Sequence, residues 1–260
     1  MSRRVTLEQL EPGIALLSMR DEQGRNAFDA TFIDELVECL ARLAADREVR
    51  VGVMRGLPDV FCAGASQDLL QQLAAGEMSA SDIILPKLVL DLPVPMIAAM
   101  EGHAVGGGLA LGLCCDVVLL ARQSRYGCSF INMGFTPGMG TTRLLQHAVG
   151  EYVAAEMMLG GQLFKGSRLE RFPAINYVLP RDEVWPRALQ VARRMAEKPR
   201  AALEMLKCYL SLPRRQAFEQ TRTIETFMHR LSFAQPDIAE QIRDYYTHAA
   251  GTGPRGGQDE

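Results

Sequence analysis

Two short segments combine small residues with a handover from strand pattern to helix pattern. Phe61-Cys62-Ala63-Gly64-Ala65-Ser66 precedes the helix-like Gln67–Leu73, and Gly102-His103-Ala104-Val105-Gly106-Gly107-Gly108 precedes the apolar run Leu109–Cys115. Small residues let another group approach the main chain closely. Amides at the start of a helix point outward and carry positive partial charge. Two of them converging on one point would hold a carbonyl oxygen while it becomes an enolate oxyanion. Taken singly, each segment serves close packing equally well, and the glycine triplet lacks the G-x-G-x-x-G spacing of a dinucleotide site.

Groups that could move a proton are few. Among the histidines, His147 and His248 fall on surface-type helices, and His103 sits in the turn before the glycines, where it can orient that loop by hydrogen bonding. His229 lies on a long helical stretch and, on spacing alone, reads as an ordinary helix residue. The six cysteines, Cys39, Cys62, Cys114, Cys115, Cys128 and Cys208, show no C-x-x-C spacing. Buried thiols are expected rather than disulfides or a metal site.

The elements that must position these groups follow from periodicity. Val5–Leu10 and Ile14–Met19 read as strands around the turn Glu11-Pro12-Gly13. Asp29 can cap a helix with Phe32, Leu36, Leu40 and Leu43 at helical spacing. Val51–Met54, Pro95–Met100 and Val117–Ala121 are apolar runs suited to strands covered on both faces. Strand–helix alternation from about residue 50 to 120 predicts an α/β fold built on βαβ units. Beyond Gly140 the pattern turns helical, at Thr141–Val149, Glu151–Leu159, Trp185–Glu197, Arg200–Leu210, Gln216–Phe233 and Asp237–Tyr246, with a strand only at Ala174–Leu179. The last two helices find little apolar surface left to cover in their own chain, which points to a homo-oligomer. Ala74–Ser81 is small and polar and is expected to move until substrate binds.

Composition bounds the rest. With 48% apolar and 23% charged residues, the 260-residue chain can bury a substantial core. Its net charge of −3 supplies no general attraction to nucleic acid or an anionic membrane. The pairs Arg193-Arg194 and Arg214-Arg215 read as solvated helix faces. Met1-Ser2-Arg3-Arg4-Val5 has no apolar stretch behind it, so no signal peptide is expected. The longest apolar run, Ala104–Cys115, falls short of a bilayer span. A cytoplasmic protein is expected.

In order, the two small-residue segments and Gly134-Phe135-Thr136-Pro137-Gly138-Met139-Gly140-Thr141-Thr142 resemble the crotonase (enoyl-CoA hydratase/isomerase) superfamily. Arg25-Asn26-Ala27-Phe28, Cys115-Asp116 and Ala196-Glu197-Lys198-Pro199-Arg200 extend the resemblance over roughly residues 5–248. It implies a ββα spiral core over 1–195, a helical trimerisation region over 196–250 and, by composition, a disordered tail over 251–260. It implies trimers or hexamers, and an acyl thioester on phosphopantetheine or coenzyme A with no further cofactor and no metal. Carried onto this chain, the oxyanion donors are the N–H groups of Ala65 and Gly107. Ala63, Gly64 and Ser66 would line the pantetheine and adenine end, Gly106, Ala110, Phe130 and Phe135 would border the substrate, and Arg25 would lie near the phosphates.

Hydratases of that family use two glutamates, and the matching places here hold Ala110 and Phe130. Neither can transfer a proton, so hydration by the ordinary route is not expected. An oxyanion hole without carboxylates can still accept the electrons released when a substrate loses CO2. Gly102-His103, the Phe135-Thr136-Pro137-Gly138 turn and His229 followed by Phe233-Ala234-Gln235-Pro236 resemble the decarboxylating crotonases of polyketide β-branching cassettes. That resemblance implies a 3-methylglutaconyl group on an acyl carrier protein, converted to 3-methylcrotonyl, with His229 near the substrate carboxylate. Some members offer a lysine after the oxyanion alanine; Gln67–Leu73 has none, and Lys87 is the nearest. Two readings stay open beside it: an isomerase or hydratase using Asp68 or Asp82, and a non-catalytic module that binds a carrier protein.

Overall fold

A computed structural model describes residues 3–78, 84–172 and 175–252, the stretch 248–252 by backbone alone. Asp82 and the segment 79–81 lie outside these, as does 253–260. Strands β1 (Val5–Glu11) and β2 (Ile14–Met19) form an antiparallel hairpin around Pro12-Gly13. Helix α1 (Ala30–Ala45) follows, with Asp29 accepting from the Phe32 amide as expected. Next come β3 (Val51–Arg55), β4 (Val60–Cys62), α2 (Gln67–Ala74), α3 (Leu85–Leu90), β5 (Met96–Met100), β6 (His103–Val105), α4 (Gly107–Leu113), β7 (Val117–Ala121) and β8 (Arg125–Gly127). A 3-10 turn (Phe130–Met133) leads to α5 (Thr141–Val149), α6 (Glu151–Leu159), β9 (Leu163–Lys165), α7 (Gly166–Leu169) and β10 (Tyr177–Leu179). The chain closes with α8 (Arg181–Ala196), α9 (Arg200–Leu210), α10 (Leu212–Phe233) and α11 (Ile238–Thr252).

One sheet runs β1-β2-β3-β5-β7-β10, parallel beyond the hairpin; the other runs β4-β6-β8-β9. The continuous apolar runs have the expected cause. Val51, Val53, Ile97, Ala99, Leu119 and Ala121 face α8 through Val184, Ala188 and Ala192. Their neighbours Met54, Met96, Ala98, Met100 and Leu120 face the opposite way, into the cluster holding Leu36, Leu40 and Leu43 of α1. Side chains alternate at period two, so a strand buried on both faces must be apolar throughout.

Several expectations need correction. The strand expected from Ala174 begins at Tyr177, and α8 and α10 begin four residues early because Pro180 and Pro213 suit a helix start. Helix α11 continues through Gly251 and Thr252, two residues into the expected tail. It also has its own core to cover: Ile238 and Ile242 pack with Leu70, Leu73, Met133 and Phe135. Arg214 is no solvated residue either, since with the buried Lys207 it clamps Asp116, which also accepts from the Met96 amide at 2.9 Å. That clamp ties α9 and α10 to the main sheet. Exposed apolar side chains remain on α9 and α10, among them Tyr209, Ile224, Phe227 and Leu231. Among the described residues no helix is long and apolar enough to cross a membrane, and no cluster of three or more His, Cys, Asp or Glu side chains is placed to hold a metal ion. All six cysteines are free, and all but Cys208 are buried.

Candidate active site

The site begins at Arg25 and Asn26, both in the left-handed region at φ 53° and 55°. The buried Asn26 side chain accepts from the Asp21 amide and donates to the carbonyls of Met19 and Phe61, at 2.8, 3.1 and 3.0 Å. Those bonds lay residues 25–28 along residues 61–66. The Cys62 thiol, pushed up to about 12 by burial, stays protonated and donates to the Asn26 carbonyl at 2.9 Å.

Phe28 then pairs with Ala65 in a parallel bridge: its N–H donates to Gly64 O at 2.7 Å and its carbonyl accepts from the Ser66 amide at 2.8 Å. In such a bridge the N–H of Ala65 points to the other side. Gly64, at φ +88°, allows the close approach to the second segment. A Cβ there would lie 2.8 Å from Val105 O and 3.7 Å from the Gly107 nitrogen. Gly107 opens α4, so its N–H precedes the helical hydrogen-bond ladder. The loop before α2 and the loop before α4 are thereby packed against each other.

They border a cavity of about 550 Å³. Of the residues expected at the site, Arg25, Ala63, Gly64, Ala65, Gly106, Gly107, Phe130, Phe135 and His229 all line it. Ser66 and Ala110 do not. Ser66 is instead the N-cap of α2, its Oγ accepting from the Leu69 amide at 3.2 Å. Ala110 is fully buried inside α4, because the glycine-rich helix packs on all sides. His103 also borders the cavity; its Nδ1 accepts from the Arg125 amide at 2.8 Å, which fixes the loop before the glycines. Arg25 pairs with Asp59 at 3.1 Å. Lys87 pairs with Asp91 at 2.6 Å and does not border the cavity, and neither does the exposed Asp68. The walls contributed by the described residues hold no carboxylate.

His229 arrives from α10 with only 8% of its surface exposed, and neither ring nitrogen has a hydrogen-bond partner. Phe135 and Phe233 meet its ring edge-on at centroid distances of 6.0 and 5.3 Å. Burial lowers its pKa below the ordinary imidazole value, opposed by the nearby backbone of Thr136 and Pro137. One helical turn earlier, Glu225 accepts from the amides of Gly140 and Thr142 at 2.6 and 2.9 Å, joining α10 to the start of α5. A second cavity, about 590 Å³, lies between α10 and the end of α2 and also touches His229.

Sequence reading missed Met139, Tyr245 and Tyr246, all of which line the main cavity. Tyr246 donates from its hydroxyl to Ala65 O at 2.6 Å. The helix bearing it was legible, but no local pattern says which core that helix covers.

Known proteins similar to this chain are numerous. The chain is 34% identical over 242 residues to the bacillaene synthase decarboxylase PksI of Bacillus subtilis, covering 93% of this chain and 97% of that one. It is 31% identical to the 2,3-dehydroadipyl-CoA hydratase of Escherichia coli, over 88% and 90% of the two chains. A solved member of a dehydratase/decarboxylase couple involved in polyketide β-branching superposes with TM-score 0.90 at 33% identity, over 94% of this chain and 99% of that one. The ECH2 decarboxylase domain of CurF from Lyngbya majuscula gives 0.85 at 33% identity, over 93% and 99%. The enoyl-CoA hydratase/isomerase family model matches residues 9–249. With that match over nearly its whole length and a relative 34% identical across 93% of it, the chain belongs to the enoyl-CoA hydratase/isomerase family, the crotonase superfamily.

Proposed function

We propose that the chain removes CO2 from a 3-methylglutaconyl-type thioester, carried on the phosphopantetheine of an acyl carrier protein, and forms a 3-methylcrotonyl-type thioester in polyketide β-branching. One observation carries this reading: Ala65, Gly107 and an imidazole without a hydrogen-bond partner line a cavity whose described walls offer no carboxylate. The decarboxylase relatives over the full chain support it.

The amides of Ala65 and Gly107 hold the thioester oxygen. The bond to the carboxylate breaks, its electron pair passes through the conjugated double bond to that oxygen, and CO2 leaves neutral. Removing one oxyanion donor costs about 10²–10³ in rate in comparable sites. No protein base is needed, only a proton for the dienolate; added at the carbon that lost CO2, it gives the product. His229 can supply it. A substrate carboxylate beside the ring raises its pKa, so the ring is charged when substrate is bound and can release the proton once the negative charge has moved. Each turnover consumes one proton, and the second cavity gives His229 a route to reload.

Phe130 and Phe135 form the apolar wall around the acyl chain, and Ala63, Gly64 and Gly106 take the pantetheine, with Arg25 toward its phosphate. Ser66 and Ala110 serve indirectly, by capping α2 and keeping α4 apolar. The exposed apolar side chains of α9 and α10 support assembly into a trimer or hexamer. Mass spectrometry of a carrier-bound 3-methylglutaconyl group tests the reaction, with loss of the mass of CO2 expected. Hydration of a crotonyl thioester without CO2 release would overturn it. Output unchanged by both His229→Ala and Gly107→Trp would leave only a carrier-binding module.

A further inference from the structure

Two peptide units flank the Cα of Ala65, and three of their four polar groups are tied down. Gly64 O accepts from Phe28 N–H at 2.7 Å, and Ser66 N–H donates to Phe28 O at 2.8 Å. Ala65 O accepts the hydroxyl of Tyr246 at 2.6 Å. Only the Ala65 N–H is left to face the cavity. Phe28 supplies two of the restraints from one side, and Tyr246 supplies the third from a helix some 180 residues further along the chain.

We infer that Tyr246 is a positioning residue for the oxyanion hole, fixing the Ala65 main chain so that its N–H stays aimed at the thioester oxygen. This rests on the reading above that the Ala65 amide binds that oxygen. The physical case has three parts. A preorganised donor gains its advantage from not reorganising as charge develops. Without the Tyr246 hydroxyl, the Ser66 peptide would keep one anchor and could rock about it. The phenol is suited to the task because burial raises its pKa, so it remains a donor at any working pH.

The arrangement also makes α11 part of the catalytic device. Ile238 and Ile242 seat that helix on Leu70 and Leu73 of α2, whose N-cap is Ser66. The same docking that fills this small core delivers the hydroxyl to Ala65. An undocked α11 would leave the Ala65 carbonyl unpartnered and the hole loosely held.

Infrared difference spectra of a bound crotonyl thioester test this on the full chain, because the carbonyl band moves to lower frequency as the oxyanion donors pull on it. Tyr246→Phe keeps the ring and removes the hydroxyl. The expected result is a band returned toward its unbound position and kcat lowered tenfold or more, with KM within about twofold. A fluorotyrosine at position 246, which keeps the ring and a stronger donor, should retain both band and kcat. The proposal falls if Tyr246→Phe leaves the band and kcat unchanged, or lowers only the melting temperature. A wild-type band showing no displacement on binding would remove the oxyanion reading itself, and this proposal with it.

Discussion

Gly138 lies against the Cε1–Nε2 edge of His229, so that a Cβ added to it would sit 2.9 and 3.0 Å from those atoms. The loop carrying Phe135 and Gly138 and the helix carrying His229 are thus fitted to each other at the proposed proton donor, with no room for a methyl between them.

Gly138→Ala follows directly from that contact. Gly138 has no positive φ, so the backbone accepts alanine, and the conflict falls on the imidazole alone. Displacing a catalytic group by about 1 Å can cost 10²-fold in rate. The expected outcome is a kcat for CO2 release lowered on that order, while a crotonyl thioester binds as before by titration calorimetry.

His229→Gln removes the proposed proton carrier and keeps a polar side chain of similar reach. The loss expected in kcat is about 10²–10⁴, the usual worth of a positioned acid or base. Stability gives a second readout. The folded pKa of His229 lies below the ordinary value, so across that interval the unfolded chain binds a proton that the folded chain does not. Stability then rises with pH up to about 6.5 and is flat beyond it, as far as this group is concerned. Urea melts at stepped pH should show the variant losing less stability than wild type on acidification below that point.

Phe130→Glu places a carboxylate at one of the two positions that the family resemblance assigns to a hydratase glutamate. Phe130 stands edge-on to Phe135 at 5.8 Å and covers Gly106. A charge introduced into this apolar wall would repel both the substrate carboxylate and the dienolate, and such repulsion is little screened away from water. The kcat/KM for decarboxylation should fall at least 10²-fold, and stopped assays with crotonyl thioester should show no hydratase activity, because the Ala110 position lies buried inside α4.

How much of this was legible follows from where each signal resides. The parallel strands and α1 were readable because their patterns are local: Val51–Met54 is apolar on both faces, and Asp29 lies just ahead of a helical stripe. The two small-residue loops were readable as cavity borders too, since small residues there serve the main chain itself. Ser66 was misplaced because its neighbour Ala65 borders the cavity while its own side chain caps α2, and Ala110 because α4 is buried on every side. Tyr246 and Glu225 were invisible for a different reason. Their partners, Ala65 and Gly140, are 181 and 85 residues away, and nothing in the helical pattern of α10 or α11 encodes those meetings.

Glu225 yields the last prediction. Its carboxyl is buried and lifted above the ordinary glutamate range by desolvation, with the hydrogen bonds from Thr142 and Gly140 pulling the other way. Between the ordinary and the raised value the folded chain holds a proton that the unfolded chain lacks. Its contribution is therefore complete below about 4.5 and declines as pH rises through the folded value. Glu225→Gln cannot titrate, so the stability gap between wild type and variant should narrow as pH rises through that window in parallel denaturation series. Glu225→Ala should be worse at every pH, since it orphans the Gly140 and Thr142 amides at about 1–3 kcal/mol for each unsatisfied buried group. Because Glu225 sits one turn before His229 and holds the chain just beyond Gly138, kcat should fall in Glu225→Ala even under conditions where the variant is fully folded. A variant that keeps wild-type kcat while losing stability would show that the loop finds His229 without this clamp.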